Sequence, residues 1–192
     1  YGRSKWHSEI LKIADRFMKE NESWRFLSFF KEWNPSHFTD SDWREEKGKD
    51  GETFKPVAIK AIKKSFDIIK SQQNNTDTDL TWLIEVYDKA IKLFPDDEWL
   101  IREKALLHIW QKDLDTAIHI YKKLVLDLGD KYYIWQEFSE CVISNNQLKI
   151  GMLSKALSLE RNEDFLGDIH LELAKSLINE NLLENALFEL LT

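Results

Sequence analysis

Residues 97–130 read DEWLIREKALLHIWQKDLDTAIHIYKKLVLDLGD, and this stretch decides the fold. In its second half, apolar side chains recur at the spacing of one face of an α-helix. They are Leu114, Ala117, Ile118, Tyr121, Leu124, Val125 and Leu128. Gly129 follows as a helix stop, and Asp130 can start the next helix. The stretch therefore predicts a helix, a tight turn and a second helix.

The same pattern returns along the chain at a constant interval. The pairs that lie 34 residues apart include Leu83 and Ala117, Tyr87 and Tyr121, Pro95 and Gly129, Ala105 and Ser139, and Ala117 and Gly151. The next step is 35 residues, as from Ser139 to Ala174, which predicts one inserted residue between Gly151 and Ala174. Several matches in one register indicate a repeat protein, in which each helical hairpin buries its apolar side against the next.

The period and the residue types resemble the tetratricopeptide repeat (TPR), whose unit has about 34 residues. The matching residues are Trp135, Phe138, Ser139 and Val142 in one unit, Leu173, Ala174 and Leu177 in the next, and Ala117, Tyr121 and Pro95. His108, Gly151 and Lys155 depart from the pattern, which predicts a distorted second helix in the third unit. The resemblance covers about residues 72–192. It implies an all-α fold of helical-hairpin repeats, stacked as a right-handed α-solenoid.

We predict two regions, an aromatic-rich N-terminal helical region over 1–55 that caps the solenoid, and TPR-like repeats over 56–192 with the last repeat truncated. The predicted helices span 4–20, 23–33, 56–71, 79–94, 98–111, 114–128, 131–145, 148–159 and 163–179, with a last one from Leu183. Between the second and third of these, we expect a short helix near 40–46 and an exposed turn at 48–51.

The two N-terminal helices differ in their apolar pattern. Ile10, Ile13 and Phe17, with Ala14, form the predicted buried stripe of the first helix. The second is nearly apolar all round, with Phe26, Phe29, Phe30 and Trp33 at helical spacing. Such a helix is expected to be buried on more than one side.

Charge is unevenly distributed along the chain. Residues 1–72 carry 15 Lys/Arg against 12 Asp/Glu, whereas the remainder carries 12 against 22. An acidic repeat region disfavours nucleic acid as a ligand, because phosphate binding needs a basic surface, and it suits a basic peptide better. The lysines of the third helix, within Lys55–Lys70, form the best nucleic-acid candidate. A solvated lysine face is the simpler interpretation, since no arginine cluster or interleaved aromatics accompany it.

The cellular setting is also constrained. The single Cys141 excludes an internal disulfide and fits a reducing compartment, so we expect a cytoplasmic protein. No apolar run approaches the ~18 residues that a membrane span needs. The chain lacks an initiator Met and ends inside an apolar periodic segment, so we expect a fragment of a longer protein. A truncated last helix would leave Leu187 and Leu190 uncovered, which makes self-association through this helix a hypothesis.

No pattern of catalytic or metal-binding residues is present in the sequence. The five histidines are scattered, and none has the helical i+4 partner of a zinc site. His108 occupies a core-like position, and Cys141 lies beside an apolar stripe without an adjacent base, so both favour burial over chemistry. We therefore predict a protein that is not an enzyme and that has no cofactor and no metal.

In proteins that the repeats resemble, the first helix of each hairpin lines a groove that binds partner segments. By register, that groove would be lined by Trp99, Arg102, Trp110, Tyr133, Gln136, Glu140, Asp168 and Lys175. The resemblance thus implies a protein-protein interaction scaffold that binds a peptide or protein segment. Two alternatives remain open, namely a structural spacer or capping module of a longer chain, and weak nucleic-acid association through Lys55–Lys70. Trp99 and Tyr133 would also suit a seam between repeats.

Overall fold

The structure, a computed structural model, describes residues 5–18, 23–47, 50–72 and 76–191. These residues form α1 (Lys5–Phe17), α2 (Ser23–Trp33), α3 (Val57–Ser71), α4 (Asp77–Leu93), α5 (Glu98–Trp110), α6 (Leu114–Leu128), α7 (Tyr132–Glu140), α8 (Asn146–Leu159), α9 (Gly167–Asn179) and α10 (Leu183–Leu191). Short 3-10 turns cover Pro35–His37 and Glu163–Phe165. The chain divides into two compact units, Tyr1–Asp96 and Asp97–Thr192.

Helix α1 presents a different side to the core from the one we predicted. Ile10, Ile13 and Phe17 are exposed by 50–76%, whereas Leu11 and Ala14 are buried. The cause lies in the contacts of the neighbouring face. Trp33 Nε1 donates to the His7 carbonyl across 3.0 Å, and Lys64 Nζ donates to Asp15 Oδ1 across 2.9 Å. Residues 7, 11 and 15 share a face, and that face turns inward.

The aromatic helix α2 contacts α1, α3 and α4, so it is buried on more than one side, as predicted. Phe26 and Phe30 are fully buried, and Phe30 packs on Trp33 and on Trp82 of α4. The predicted solvated lysine face of α3 is only partly present. Lys64 Nζ also donates to the Asp15 carbonyl across 2.7 Å and lies over the Phe26 ring. This lysine therefore joins α3 to α1.

The segment after α2 forms turns and a small β-hairpin instead of the predicted short helix. Strand β1 (Glu46–Lys47) pairs antiparallel with β2 (Thr53–Phe54), with Glu46 opposite Phe54. A closed turn precedes it, because Asp42 Oδ2 accepts hydrogen bonds from the backbone N–H and hydroxyl of Thr39. In the predicted turn, Gly48 and Lys49 lie outside the described residues, and Gly51 has a φ of 81°, which suits glycine.

The second unit contains three helical hairpins, α5–α6, α7–α8 and α9–α10, each packed on its neighbour in chain order. Leu100, Ile134 and Ile169 occupy equivalent, fully buried positions on α5, α7 and α9. Asp97, Asp113 and Asn145 cap helices by accepting hydrogen bonds from backbone N–H groups three residues after them. The repeat register predicted from the sequence therefore holds for the first helix of each hairpin.

Helix α8 is where the predicted register fails. Gly151 is exposed, and Met152 and Ala156 take the buried positions that Ala117 and Tyr121 take in α6. The inserted residue thus precedes Met152 instead of following Gly151. Helix α7 also ends at Glu140, five residues before the predicted end, which leaves a link before α8 that can hold the extra residue. Helix α8 itself is continuous from Asn146 to Leu159, so the third unit shows a shift of register and not the predicted distortion of its second helix.

Three further predictions concern the ends of helices. Asp130 does not cap α7, because its side chain pairs with Lys131 Nζ at 2.8 Å. Helix α9 begins at Gly167 after a 3-10 turn. On α10, Leu187 and Leu190 are exposed as expected, while self-association through them stays a prediction. Among the described residues, no helix combines the length and the apolar character needed to cross a membrane.

Candidate protein-binding groove

The predicted groove residues lie on the first helices of the three hairpins in the second unit. Helix α5 carries Trp99, Arg102 and Trp110, and helix α7 carries Tyr133, Gln136 and Glu140. Asp168 and Lys175 lie on α9. The structure gathers seven of the eight into two clusters. Trp110, half-buried in the last turn of α5, lies outside both.

The first cluster is a stack of two aromatic rings and a guanidinium group. The rings of Trp99 and Tyr133 lie 6.0 Å apart and nearly parallel, at 22°. The Cζ atom of Arg102 is 5.1 Å from the Trp99 centroid and 4.5 Å from that of Tyr133. The electron-rich faces of the two rings attract the positive charge of the guanidinium group. Trp99 remains 49% exposed, so the stack presents an aromatic surface to solvent.

Arg102 is held beneath this stack by a carboxylate that the sequence analysis did not single out. Its Nε donates to Glu137 Oε2 across 2.9 Å, and a second nitrogen contacts Oε1. Tyr121 adds a hydrogen bond from its hydroxyl to Glu137 Oε2, 3.0 Å long. A bidentate arginine–carboxylate pair of this kind fixes geometry as well as charge. Glu137 therefore sets the position of the guanidinium group.

The pKa values of this network follow from burial and pairing. Burial opposes the charge of Arg102, but the hydrogen bonds and charge of Glu137 outweigh it and raise the pKa of the guanidinium. Burial, reinforced by the Glu137 charge, holds the pKa of the Tyr121 hydroxyl well above its usual range. Tyr121 therefore stays protonated and remains a hydrogen-bond donor at every physiological pH.

A detectable pattern in the sequence does point to Glu137. It follows Arg102 by 35 residues, one more than the repeat period, so the two side chains belong to neighbouring first helices. A lone arginine and a carboxylate in that relation can meet across the seam. Register alone assigns Arg102 to the groove as a ligand contact, whereas the structure pairs it with a carboxylate of the adjoining repeat.

The second cluster lines a cavity of about 540 Å³ between α7, α8 and α9. Gln136, Glu140, Asp168 and Lys175, four of the predicted groove residues, all line it. The remaining lining residues are Ser139, Lys149, Leu153, Leu171 and Glu172. The size lies within the range of cavities that hold ligand groups. Apart from the leucines its walls are polar and charged, which suits a hydrophilic segment better than an apolar one.

Both lysines of the cavity pair with the same carboxylate. Lys149 Nζ lies 3.1 Å from Glu172 Oε2, and Lys175 Nζ lies 2.7 Å from Oε1. The hydrogen bond from Lys175 is the main cause that lowers the pKa of Glu172. Glu140 and Asp168 form no ion pair with any residue that the structure describes. Among these residues neither carboxylate is therefore ion-paired, although the charges of Lys149 and Lys112 act on Glu140 from a distance.

Glu140 carries the clearest electrostatic consequence of this arrangement. Although the residue is exposed at the cavity edge, the surrounding protein displaces enough water to raise the pKa of its carboxyl. The nearby charge of Glu137 acts in the same direction. A positive group placed beside Glu140 would offset both effects on the pKa, because an opposite charge favours the ionised form.

The candidate residues for chemistry are placed as structural residues. Cys141 is buried, and burial raises the pKa of its thiol to about 12, so it is not a nucleophile at neutral pH. His108 is buried with Nδ1 3.1 Å from Asp113 Oδ2, as expected for a packing histidine. Within the part of the chain that the structure describes, no group of three or more His, Cys, Asp or Glu side chains could hold a metal ion.

Comparison with known proteins places this arrangement in a structural class. The model of a family described as a domain of unknown function (DUF7017) matches residues 98–192. No curated protein matches the chain. The chain is similar to the solved structure titled MamA RS-1 ArsTM double mutant, with 14% identity, a TM-score of 0.67 and coverage of 98% of this chain and 92% of that one.

Two further solved structures give the same result. MamA 41-end from Desulfovibrio magneticus RS-1 is 13% identical, with a TM-score of 0.67 over 98% of this chain and 93% of that chain. MamA MSR-1 C2 is 14% identical, with a TM-score of 0.56 over 94% and 87%. MamA is a TPR-like helical repeat protein. The chain has an all-α, TPR-like fold. At these identities the likeness establishes the fold alone.

Proposed function

We propose that the protein is an interaction scaffold whose second unit binds a basic segment of a partner protein. TPR-like folds of this kind generally serve protein–protein interaction. The observation that carries the proposal is the cavity between α7, α8 and α9, where Glu140 and Asp168 lack ion-pair partners among the described residues. A lysine or arginine side chain of the partner would lie between these carboxylates.

The aromatic stack offers a second contact on the first helices of the same unit. Trp99 and Tyr133 expose ring surface, and Arg102 is fixed by Glu137 beneath them. Aromatic residues and arginine are enriched among the residues that dominate binding energy. A segment that crosses from α5 to α9 would meet the ring surface first and the carboxylates next. The proposal therefore places an apolar residue of the partner segment at the stack and a basic residue in the cavity.

A binding assay with defined peptides tests the proposal. A labelled peptide with a Leu-Phe pair followed by Lys and Arg is titrated against the chain, and the same peptide with Glu in place of each basic residue is the control. Glu140→Lys combined with Asp168→Lys should weaken binding of the basic peptide by about tenfold or more, since each added lysine replaces attraction with repulsion. A matched control variant, Asp115→Lys with Asp127→Lys, makes the same change of charge at two exposed positions of α6.

The outcomes separate the scaffold from a spacer. Loss of affinity for the basic peptide in the groove variant alone, with the helical circular dichroism spectrum unchanged, supports a binding groove. Equal affinity for the two peptides, or equal loss in the α6 variant, would mean that the face does not recognise a basic segment. No binding of any peptide by the intact chain favours a spacer or capping role.

A further inference from the structure

A separate cavity, of about 770 Å³, lies in the first unit between the Pro35–Arg44 segment and the C-terminal end of α4. Its apolar wall consists of Phe38, Trp43, Leu93 and Phe94. Trp43 is the centre of this wall, with its ring 5.1 Å from that of Phe38 and 6.2 Å from that of Phe94. Leu93 is 55% exposed, so the wall is open to solvent.

The segment that carries Trp43 is held in place by a closed set of hydrogen bonds. Asp42, whose side chain is buried, accepts from the backbone N–H of Thr39 across 2.7 Å and from its hydroxyl across 2.8 Å. The Asp42 carbonyl accepts from the Ala58 N–H at the start of α3 across 3.0 Å. The aromatic wall is therefore formed before any ligand arrives, which reduces the entropy lost on binding.

Three cations surround this wall. Arg44, Lys89 and Lys92 line the cavity, against a single acidic residue, Asp40. In the described ranges none of the three cations forms an ion pair. Other lysines of the same unit are engaged, since Lys31 pairs with Asp79 and Lys64 with Asp15. The cations of the cavity are therefore available to an external anion.

The helix dipole explains only part of this arrangement. Lys89 and Lys92 lie near the C-terminus of α4, where cations are favoured without any ligand. Arg44 comes from a different segment, and the dipole does not account for an exposed leucine and three aromatic rings beneath the charges. An apolar floor with a basic rim is complementary to a ligand with an apolar group flanked by negative charges.

We propose that this cavity binds an acidic segment of a partner protein, with an aromatic or aliphatic side chain on the wall formed by Trp43 and Leu93. The carboxylates on either side of that side chain would pair with Arg44, Lys89 and Lys92. A free inorganic anion would leave the apolar wall uncovered, whereas the volume accommodates several side chains of a peptide. The site is independent of the groove in the second unit, whose unpaired charges have the opposite sign.

Fluorescence anisotropy with a defined probe tests this site. The probe is a labelled peptide in which Glu and Asp flank a central Phe-Leu pair, and its control carries Lys in place of every acid. Lys89→Glu with Lys92→Glu should weaken the acidic probe by about tenfold or more, because two attractions become repulsions. Lys122→Glu with Lys123→Glu, on exposed positions of α6, makes the same change of charge elsewhere.

A second variant tests the apolar wall apart from the charges. Leu93→Ser alters a side chain that is already more than half exposed, so the fold is retained while the probe loses contact area. Loss of affinity in both cavity variants, with the α6 variant unchanged, supports the site. Raising the salt concentration should weaken the acidic probe, as expected for exposed charges.

Four results would overturn the proposal. In the first, the acidic probe does not bind to the chain. In the second, it binds equally well to Lys89→Glu with Lys92→Glu and to Lys122→Glu with Lys123→Glu. A single-stranded oligonucleotide competes for the same lysines more strongly than the probe, which would assign the cavity to nucleic acid. The chain self-associates without a probe and Lys89→Glu with Lys92→Glu abolishes this, which would make a second copy the occupant.

Discussion

The Tyr121 hydroxyl donates a 3.0 Å hydrogen bond to Glu137 Oε2, and the same carboxylate accepts from Arg102. Three helices, α5, α6 and α7, therefore meet at one side chain. The side chains of Arg102 and Glu137 are 18% and 11% exposed, so the pair is shielded from solvent on most sides. Arg102 also lies over the rings of Trp99 and Tyr133, so this contact links the stability of the second unit to the shape of the proposed binding face.

Removing Arg102 should destabilise the second unit strongly. Arg102→Ala leaves the Glu137 charge largely buried without its partner, and we expect the free energy of unfolding to fall by about 3 kcal/mol. Tyr121→Phe removes one hydrogen bond and should cost about 1 kcal/mol. Denaturant unfolding followed by circular dichroism measures both, with Lys122→Ala on exposed α6 as a control within about 0.5 kcal/mol of the wild type.

The double substitution Arg102→Met with Glu137→Leu tests whether the effect comes from the pair. We expect it to cost less than Arg102→Ala alone, because no unpaired charge remains and apolar groups replace the ions. Costs that simply add would show that the two side chains act independently and that the network does not join the helices.

Substitution by alanine should change the free energy of unfolding in opposite directions at two glycines. At Gly129 a Cβ would clash with the Val125 carbonyl oxygen, so the helix end must shift, and Trp135 Nε1 donates to the Gly129 carbonyl across 2.8 Å. Gly129→Ala should therefore cost about 1–2 kcal/mol. Gly151→Ala fills open space inside α8 and should stabilise by about 0.5–1 kcal/mol through helix propensity.

Thermal and denaturant unfolding of the two single variants checks this pair. The comparison also tests the register of α8. If Gly151 occupied the buried position of Ala117, as the 34-residue spacing suggests, alanine would meet neighbouring side chains there. A loss of stability in Gly151→Ala would restore the register predicted from the sequence and contradict the shift of one residue.

The helices of the second unit, and the ends of α5 and α6 to within one residue, could be predicted from the sequence because they depend on local patterns, whereas α7 ends five residues earlier and α9 begins four residues later than predicted. Apolar spacing and capping residues such as Asp97 and Asp113 act within a few residues. The small hairpin could not be predicted, since each strand has two residues and no alternation. Gly151 misled the register because small residues recur both in close contacts and in open positions.

The side of α1 that faces the core is a different kind of failure. Apolar residues cover nearly half of its circumference, so periodicity allowed more than one orientation. The choice depends on Trp33 and Lys64, which lie far away in the sequence and bond to backbone and carboxylate groups of α1. Similarly, Glu137 was missed because its partner Arg102 lies in another repeat.

Lys64 should control the order of the C-terminal end of α1. Its ammonium group donates to the Asp15 side chain and carbonyl and to the Met18 carbonyl, so it holds carbonyls that the end of a helix leaves without partners. In Lys64→Ala, amide hydrogen exchange should accelerate by about fivefold or more in the last turn of α1. Lys70→Ala, at an exposed position of α3, is the control. Equal exchange in both variants would mean that α1 is held by its apolar contacts alone.

Glu140 should give the second unit a stability that depends on pH. The protein around this exposed residue displaces water and, with the nearby charge of Glu137, raises the pKa of its carboxyl above 4.5, so the folded chain binds this proton more tightly than the unfolded chain does. The ionised carboxyl lowers the free energy of unfolding. This destabilisation is absent below pH 4.5, grows as the pH rises from 4.5 to the raised pKa, and is constant above that pKa. Glu140→Gln should therefore increase the free energy of unfolding at about pH 7 and have no such effect near pH 4.

Denaturant unfolding across this pH range measures the difference between Glu140→Gln and the wild type, with Glu32→Gln on an exposed position of α2 as the control. A gain of equal size at both ends of the range would assign the effect to packing, since only the ionised carboxyl is penalised. The same group links stability to binding. A basic peptide in the groove favours the ionised form, so its binding should release protons in the interval just above pH 4.5, and Glu140→Gln should abolish that release.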